Sequence, residues 1–210
     1  RCSSPMGARM LRSWLTMPVM DLQELEDRYS VVQYFVDNQD DLRALQERLG
    51  DIGDLERISD HAVNIAESAE EMKKKEITFS EKAKAEIKSI TAAMTEIITI
   101  TVDSFDRSDL TLAANVEPLE QVVDKLKEEI RKRHTQRLVD DKCTIELGFV
   151  LSDILTSLER VSDHCSNIAG CLLEMAKDDD LRLHEYLGGV KKNSDVFLSR
   201  YAYYEQKHQL

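Results

Sequence analysis

Apolar positions recur three and four residues apart through the second half of the chain, the spacing of amphipathic helices packed on one face. From Ala83 they run Ile87, Ile90, Met94, Ile97, Thr101 and Phe105. A second run takes Leu112, Val116, Leu119, Val123, Leu126 and Ile130. A third takes Leu147, Leu151, Ile154, Leu158, Val161, Cys165, Ile168, Leu172 and Met175. Its alternation of three and four predicts the seam of an antiparallel bundle. Arg107-Ser108-Asp109 breaks the first run from the second and predicts a tight turn with Ser108 or Asp109 as N-cap. Pro118 lies early in the second run, so that helix is expected to start near it or to kink there. Residues 78–177 are thus predicted to form a complete three-helix bundle.

Composition narrows the fold class to all-α. The 210 residues hold 7 Gly and 3 Pro, with neither between Asp54 and Glu117, which excludes a turn-rich β fold. Asp178-Asp179-Asp180 is expected to end the bundle and Gly188-Gly189 to mark a second break. Ser194 to Leu210 is expected to form a short helix whose Tyr201, Tyr203 and Tyr204 dock against the bundle or a partner. No run approaches the roughly 18 apolar residues of a membrane span, and nothing at the N-terminus reads as a signal peptide. Cys2, Cys143, Cys165 and Cys171 form no C-x-x-C pair; three fall in helical patterns, so buried reduced thiols in a cytoplasmic protein are expected. With 28 Lys and Arg against 40 Asp and Glu, the net charge is −12 and the pI near 4.9. That balance argues against a protein gripping nucleic acid through charge.

An internal repeat changes the picture most. Leu55-Glu56-Arg57-Ile58-Ser59-Asp60-His61-Ala62-Val63-Asn64-Ile65-Ala66 recurs, 103 residues on, as Leu158-Glu159-Arg160-Val161-Ser162-Asp163-His164-Cys165-Ser166-Asn167-Ile168-Ala169. Nine of the twelve positions are identical, and helix packing alone does not demand shared Glu, Arg, Ser, Asp, His and Asn. Glu56/Asp60 and Glu159/Asp163 are four apart and so share a helix face, as do Glu120/Asp124 in the preceding run. Each Glu follows a seam leucine, which predicts three acidic pairs turned roughly 100–140° from the apolar stripe, toward the outside of the bundle. Two neighbouring helices would present four carboxylates to one patch. Oxygen-only clusters suit hard cations such as Mg²⁺, Ca²⁺ or Mn²⁺, and they also bind iron. His61 and His164, beside the carboxylates, offer nitrogen to softer metals such as Zn²⁺.

Catalytic chemistry has little support, and no enzyme is expected. There is no phosphate-binding G-x-x-x-x-G-K-[ST] loop, no G-x-G-x-x-G and no H-E-x-x-H. The E-x-x-H spacing of di-iron bundles occurs only at Glu205–His208, near the terminus. Cys165 beside His164, and Ser59 near His61, diverge by about 100° per residue around a helix.

On the repeat and on Cys143-Thr144-Ile145-Glu146-Leu147-Gly148-Phe149, the chain from about Ile52 onward resembles the PhoU family of phosphate-uptake regulators. Within it, the likeness is to the PhoU-like tail of sodium/phosphate cotransporters. The resemblance implies three-helix bundles whose acidic motifs bind multinuclear metal clusters (Fe, Zn, Mn or Mg). It nominates Glu56, Asp60, Glu120, Asp124, Glu159 and Asp163 as ligands, with His61 and His164 beside them. It implies a regulatory module in the cytoplasm, at the inner face of the membrane, whose partner is a membrane transporter or its membrane-embedded portion; a second copy of the chain is a further candidate partner. Ser4-Pro5-Met6-Gly7-Ala8-Arg9-Met10-Leu11-Arg12-Ser13-Trp14-Leu15, Arg28-Tyr29-Ser30-Val31-Val32-Gln33-Tyr34-Phe35 and Ile52-Gly53-Asp54-Leu55-Glu56-Arg57-Ile58 instead resemble the core/lever region of the MutS mismatch-repair family, a helical scaffold without catalytic residues. All 14 lysines lie beyond residue 53, so the two likenesses meet where the composition changes.

The expected division is therefore a MutS-like helical segment at 1–53, the third helix of an incomplete first PhoU bundle at 54–77, a complete bundle at 78–177 and a tail at 178–210. A helical scaffold fragment of mismatch repair, without ATPase, is the competing reading. If the chain is such a fusion, residues 24–35 should be far less buried than Leu119 and Val123 of the complete bundle.

Overall fold

The computed structural model describes residues 5–175 and 195–210. Among them every regular element is a helix, in the order α1 (Pro5–Thr16), α2 (Leu22–Asp37), α3 (Gln39–Lys74), α4 (Glu81–Arg107), α5 (Leu110–Ala113), α6 (Val116–Val139), α7 (Ile145–Met175) and α8 (Asp195–Lys207). The fold class is all-α. The acidic run at 178–180 and the Gly188-Gly189 break lie outside the described residues. The chain divides into two compact units, Arg1–Glu56 and Arg57–Leu210. The change in composition near residue 53 is not a break in the backbone, because α3 continues through Gly50 and Gly53 to Lys74.

The first unit holds α1, α2 and the start of α3. Asp21 caps α2 by accepting a hydrogen bond from the Glu24 amide at 3.0 Å. The Arg28 guanidinium lies 4.0 Å from the centre of the Trp14 ring, which ties α2 to α1. No residue of α2 is buried.

The second unit is built on α4, α6 and α7, whose stripes close on one another as their spacing predicts. Ile90, Ile97, Leu119, Val123, Ile130, Leu151 and Ile168 are almost wholly excluded from solvent. Leu119 and Val123 at 0% against an unburied α2 is the contrast expected of a fusion. Ser80 caps α4 at its start, and Ser108 ends it in the left-handed region (φ 51°). Asp109 then caps the four-residue α5, its carboxylate accepting from the Thr111 and Leu112 amides at 2.8 and 3.1 Å. Pro118 falls in the first turn of α6, where the missing N–H would have no helical partner in any case. Cys143 lies in the connection between α6 and α7, not within a helix as its flanking pattern suggested.

The tail helix forms as expected. α8 packs on α6 with Phe197 and Tyr204 buried, while Tyr203 stays exposed. Glu96 of α4 receives Lys207 Nζ at 2.6 Å and lies 2.7 Å from His208 Nε2; Lys125 of α6 bonds Glu205. The Glu205 and His208 of the E-x-x-H spacing therefore face different helices.

Candidate functional site

Two bonds fix how α6 and α7 lie against each other. Near one end Ser166 Oγ donates to Glu117 Oε2, and near the other Lys127 Nζ donates to Glu159 Oε1. The residue order is reversed between the two helices, so they run antiparallel. On α6 the intervening stretch includes Glu120 and Asp124, and on α7 it includes Ser162 and Asp163. At 100° per residue Glu117, Glu120, Asp124 and Lys127 fall within an arc of about 80°, and Glu159, Ser162, Asp163 and Ser166 within about 100°. The α6–α7 edge is therefore one polar row, mostly acidic.

Both inner acidic pairs belong to this row, but the outward direction expected for them needs correction. Glu120 is only 7% exposed, and Asp124, Glu159 and Asp163 are half-buried. A turn of 100° from the stripe leads to the shoulder of a helix, and here the two shoulders pack on each other. Of the six nominated carboxylates, only Asp60 is exposed. Glu56 falls in the other unit, where Arg9 Nη2 bonds its Oε1 at 2.9 Å.

Burial has electrostatic consequences. Loss of water around Asp163, and then the negative charge of Glu159, push its carboxyl above the ordinary carboxylate range. Arg160, His164 and Lys127 act in the other direction. Lys127, with its side chain 10% exposed, is a counter-cation within the row and pairs with Glu159. Among the described residues, no three His, Cys, Asp or Glu side chains are already gathered as a cation cage.

The remaining candidates meet on the far side of α7. The rings of His61 and His164 stack with centroids 5.8 Å apart and planes 23° from parallel. His164 is buried and His61 half-buried, and His61 Nδ1 finds no hydrogen-bond partner among the described residues. Burial, followed by the charges of His164 and Arg160, holds the His61 imidazole below its usual range. Further along, Lys75 bonds Glu146 at 2.7 Å, so the end of α3 runs antiparallel to α7.

Two functional candidates were not singled out in the sequence. Lys127 lies three residues beyond Asp124 and seven beyond Glu120, so face arithmetic places it in the acidic row. Glu117 precedes Glu120 by three and is legible the same way. Glu86, buried under a two-pronged bond from Arg137 (2.9 and 2.8 Å), carries no such sequence signal.

Comparison with known proteins finds both likenesses. The MutS domain III family model matches residues 1–194. The Thermotoga maritima protein named phosphate-specific transport system accessory protein PhoU homolog 1 is 27% identical over 174 residues, 82% of this chain and 73% of that protein. The Deinococcus radiodurans PhoU homolog is 29% identical over 129 residues, 61% of this chain and 59% of its own length. The DNA mismatch repair protein MutS of Bacteroides thetaiotaomicron is 47% identical over 58 residues, covering 28% of this chain but 7% of that protein. No solved structure matches.

Proposed function

The chain belongs to the MutS domain III family by its match over residues 1–194, and we propose that its PhoU-like part acts as a regulatory module of phosphate transport. The length of the likeness to phosphate-transport accessory proteins supports this reading. The module would act on a membrane transporter through protein contacts; no described helix is itself long and apolar enough to cross a membrane. A sodium-coupled phosphate transporter is the partner suggested by the second copy of the repeat, and the inner face of the membrane is where they would meet. The segment 54–77 is read as the remaining helix of an incomplete first bundle.

The observation that carries the mechanism is the row of Glu120, Asp124, Glu159 and Asp163 along one packed edge. Its donor set is carboxylate oxygen, which fits Mg²⁺ or Mn²⁺, and iron as well. The orphaned Nδ1 of His61 offers a nitrogen to a softer ion such as Zn²⁺ near Asp60. A bound cation would supply positive charge beside Asp163, whose carboxyl burial pushes toward protonation. Lys127 supplies that charge to Glu159 in its absence, so Lys127 and the ion compete. Exchange between them would couple cation binding to the α6–α7 edge, and through it to the partner. No step in this reading makes or breaks a covalent bond.

Calorimetric titration of the full chain with Mn²⁺, Fe³⁺ and Zn²⁺ tests the reading. Binding should weaken at least about tenfold in Glu159→Ala/Asp163→Ala. Unchanged binding in that variant defeats the site.

The second reading, a helical scaffold fragment of mismatch repair, is favoured by the family match over most of the chain. It expects no cation dependence. DNA binding at moderate salt, against a net charge of −12, would speak for it.

A further inference from the structure

The helix α1 separates apolar from polar residues more sharply than α2, α3, α4, α6, α7 or α8 does. At about 100° per residue, Met6, Met10, Trp14, Leu11 and Leu15 spread over one half of its circumference. Arg12, Thr16, Arg9 and Ser13 fill an arc of about 100° on the other side. The first unit does not bury the apolar half. Met6, Met10, Leu11, Trp14 and Leu15 are 42, 54, 46, 38 and 77% exposed. Arg28 lies over the ring of Trp14, the least exposed of them. Met17 and Met20, just beyond the helix, are exposed as well.

Charge is distributed as unevenly. In a chain of net charge −12, residues 1–20 hold Arg1, Arg9 and Arg12 and neither Asp nor Glu; the first carboxylate is that of Asp21. Arg12 is exposed. Arg9 bonds Glu56 yet keeps 64% of its side chain in water.

Together these features select the occupant of the apolar half. A helix seated against a protein core needs an apolar stripe of roughly 100°. An apolar arc of about 180° opposite a basic sector matches instead a planar boundary between hydrocarbon and water. Arginine stems reach along the helix, so the guanidinium stays with the headgroups while the apolar side sinks. Tryptophan favours that depth, and unbranched methionine adapts to a fluid medium without a complementary packed surface. A stretch with cations and no carboxylate is drawn to negatively charged headgroups. We propose that α1 is a membrane-surface helix, lying flat in the headgroup region of a bilayer that contains anionic lipid. The acidic remainder of the chain opposes this little, because salt at about 0.1 M screens charges more than about 10 Å away. Only residues of the first unit take part. A failed cation titration therefore leaves this role untouched, and a failed vesicle titration leaves the cation site untouched.

Trp14 is the chain's single tryptophan, so its emission reports on α1 alone. The full chain is titrated at about 0.1 M salt with phosphatidylcholine vesicles, pure or containing about 30% phosphatidylglycerol, and co-sedimentation is measured alongside emission. With the anionic vesicles the emission should shift to the blue, and binding should be at least about tenfold stronger than to the neutral ones. Met10→Glu and Leu15→Glu should each weaken that binding at least about tenfold. Both positions are exposed, so circular dichroism should show the helix content unchanged. Val139→Glu, at a 74% exposed valine of the second unit, should leave binding intact. No binding up to about 1 mM lipid overturns the proposal, including the case in which an acidic protein proves to be the occupant. So does equal binding to neutral vesicles, binding that survives both substitutions, or co-sedimentation without any change in Trp14 emission.

Discussion

The stacked rings of His61 and His164, 5.8 Å apart, occupy the same place in the two copies of the twelve-residue repeat. Around that pair α3 runs antiparallel to α7. The repeat's likeness thus has a geometric counterpart: each histidine finds its own image. His164→Ala removes a buried ring and should cost about 1–3 kcal/mol of stability. A double-mutant cycle with His61→Ala should show coupling of about 0.5–1.5 kcal/mol in urea unfolding. Strict additivity would mean the rings adjoin without supporting each other.

Lys127 neutralises Glu159 from a side chain that is 10% exposed. Lys127→Met keeps most of the stem's packing and removes the charge. Stripping one partner from a buried pair costs about 3–5 kcal/mol, but Glu159 keeps 27% of its exposure, so water should reduce the loss to about 1–3 kcal/mol. Under the regulatory reading, Mn²⁺ should bind this variant more tightly than the wild type and restore its melting temperature. A loss that Mn²⁺ leaves untouched would speak against competition between Lys127 and a cation.

The bundle was legible because its energy comes from burial, and burial leaves a period in the sequence. Each of the seam positions from Leu147 to Leu172 is buried in the structure. The direction of the acidic pairs was less legible. An angle measured from one helix's own stripe does not say which neighbour covers its shoulder, and Glu120 is buried in the structure. The pairing of Glu86 with Arg137 spans 51 residues and joins two helices at a point no local pattern marks. The tyrosines of the tail predict docking of α8, but no local pattern marks the clamp of Lys207 and His208 on Glu96. Charged partners leave no periodic trace when they reach across the fold.

Asp163 gives the acidic row a pH dependence of a particular sign. Burial and the Glu159 charge raise its folded pKa above the ordinary 3.8, so the folded state holds more protons than the unfolded state between those two values. Stability contributed by this group is therefore greatest below that window and falls as pH rises through it. Asp163→Asn, which keeps the shape without the charge, should raise the melting temperature at pH 7 and flatten the acid limb of the stability profile. A lower melting temperature at pH 7 would show that Arg160 and Lys127 outweigh the burial.

Glu96 has the opposite sign and acts on α8. Burial alone would raise its carboxyl, but hydrogen bonds from Lys207 and His208 outweigh that and hold it below its ordinary 4.5. The group therefore contributes stability that is fully present above pH 4.5 and disappears as pH falls through the lowered folded value. Because its bonds lead to Lys207 and His208, the loss should appear first as release of α8. Amide hydrogen exchange across Asp195–Lys207 should accelerate on acidification before exchange in α4 or α7 does. Glu96→Gln should bring faster exchange in α8 already at pH 7, equivalent to about 1–3 kcal/mol of lost docking, since it removes charge-assisted bonds to two partners. It should also abolish the acid step. If exchange in α8 and α7 accelerates together at every pH, the clamp does not control the helix separately, and α8 belongs to the same cooperative unit as the bundle.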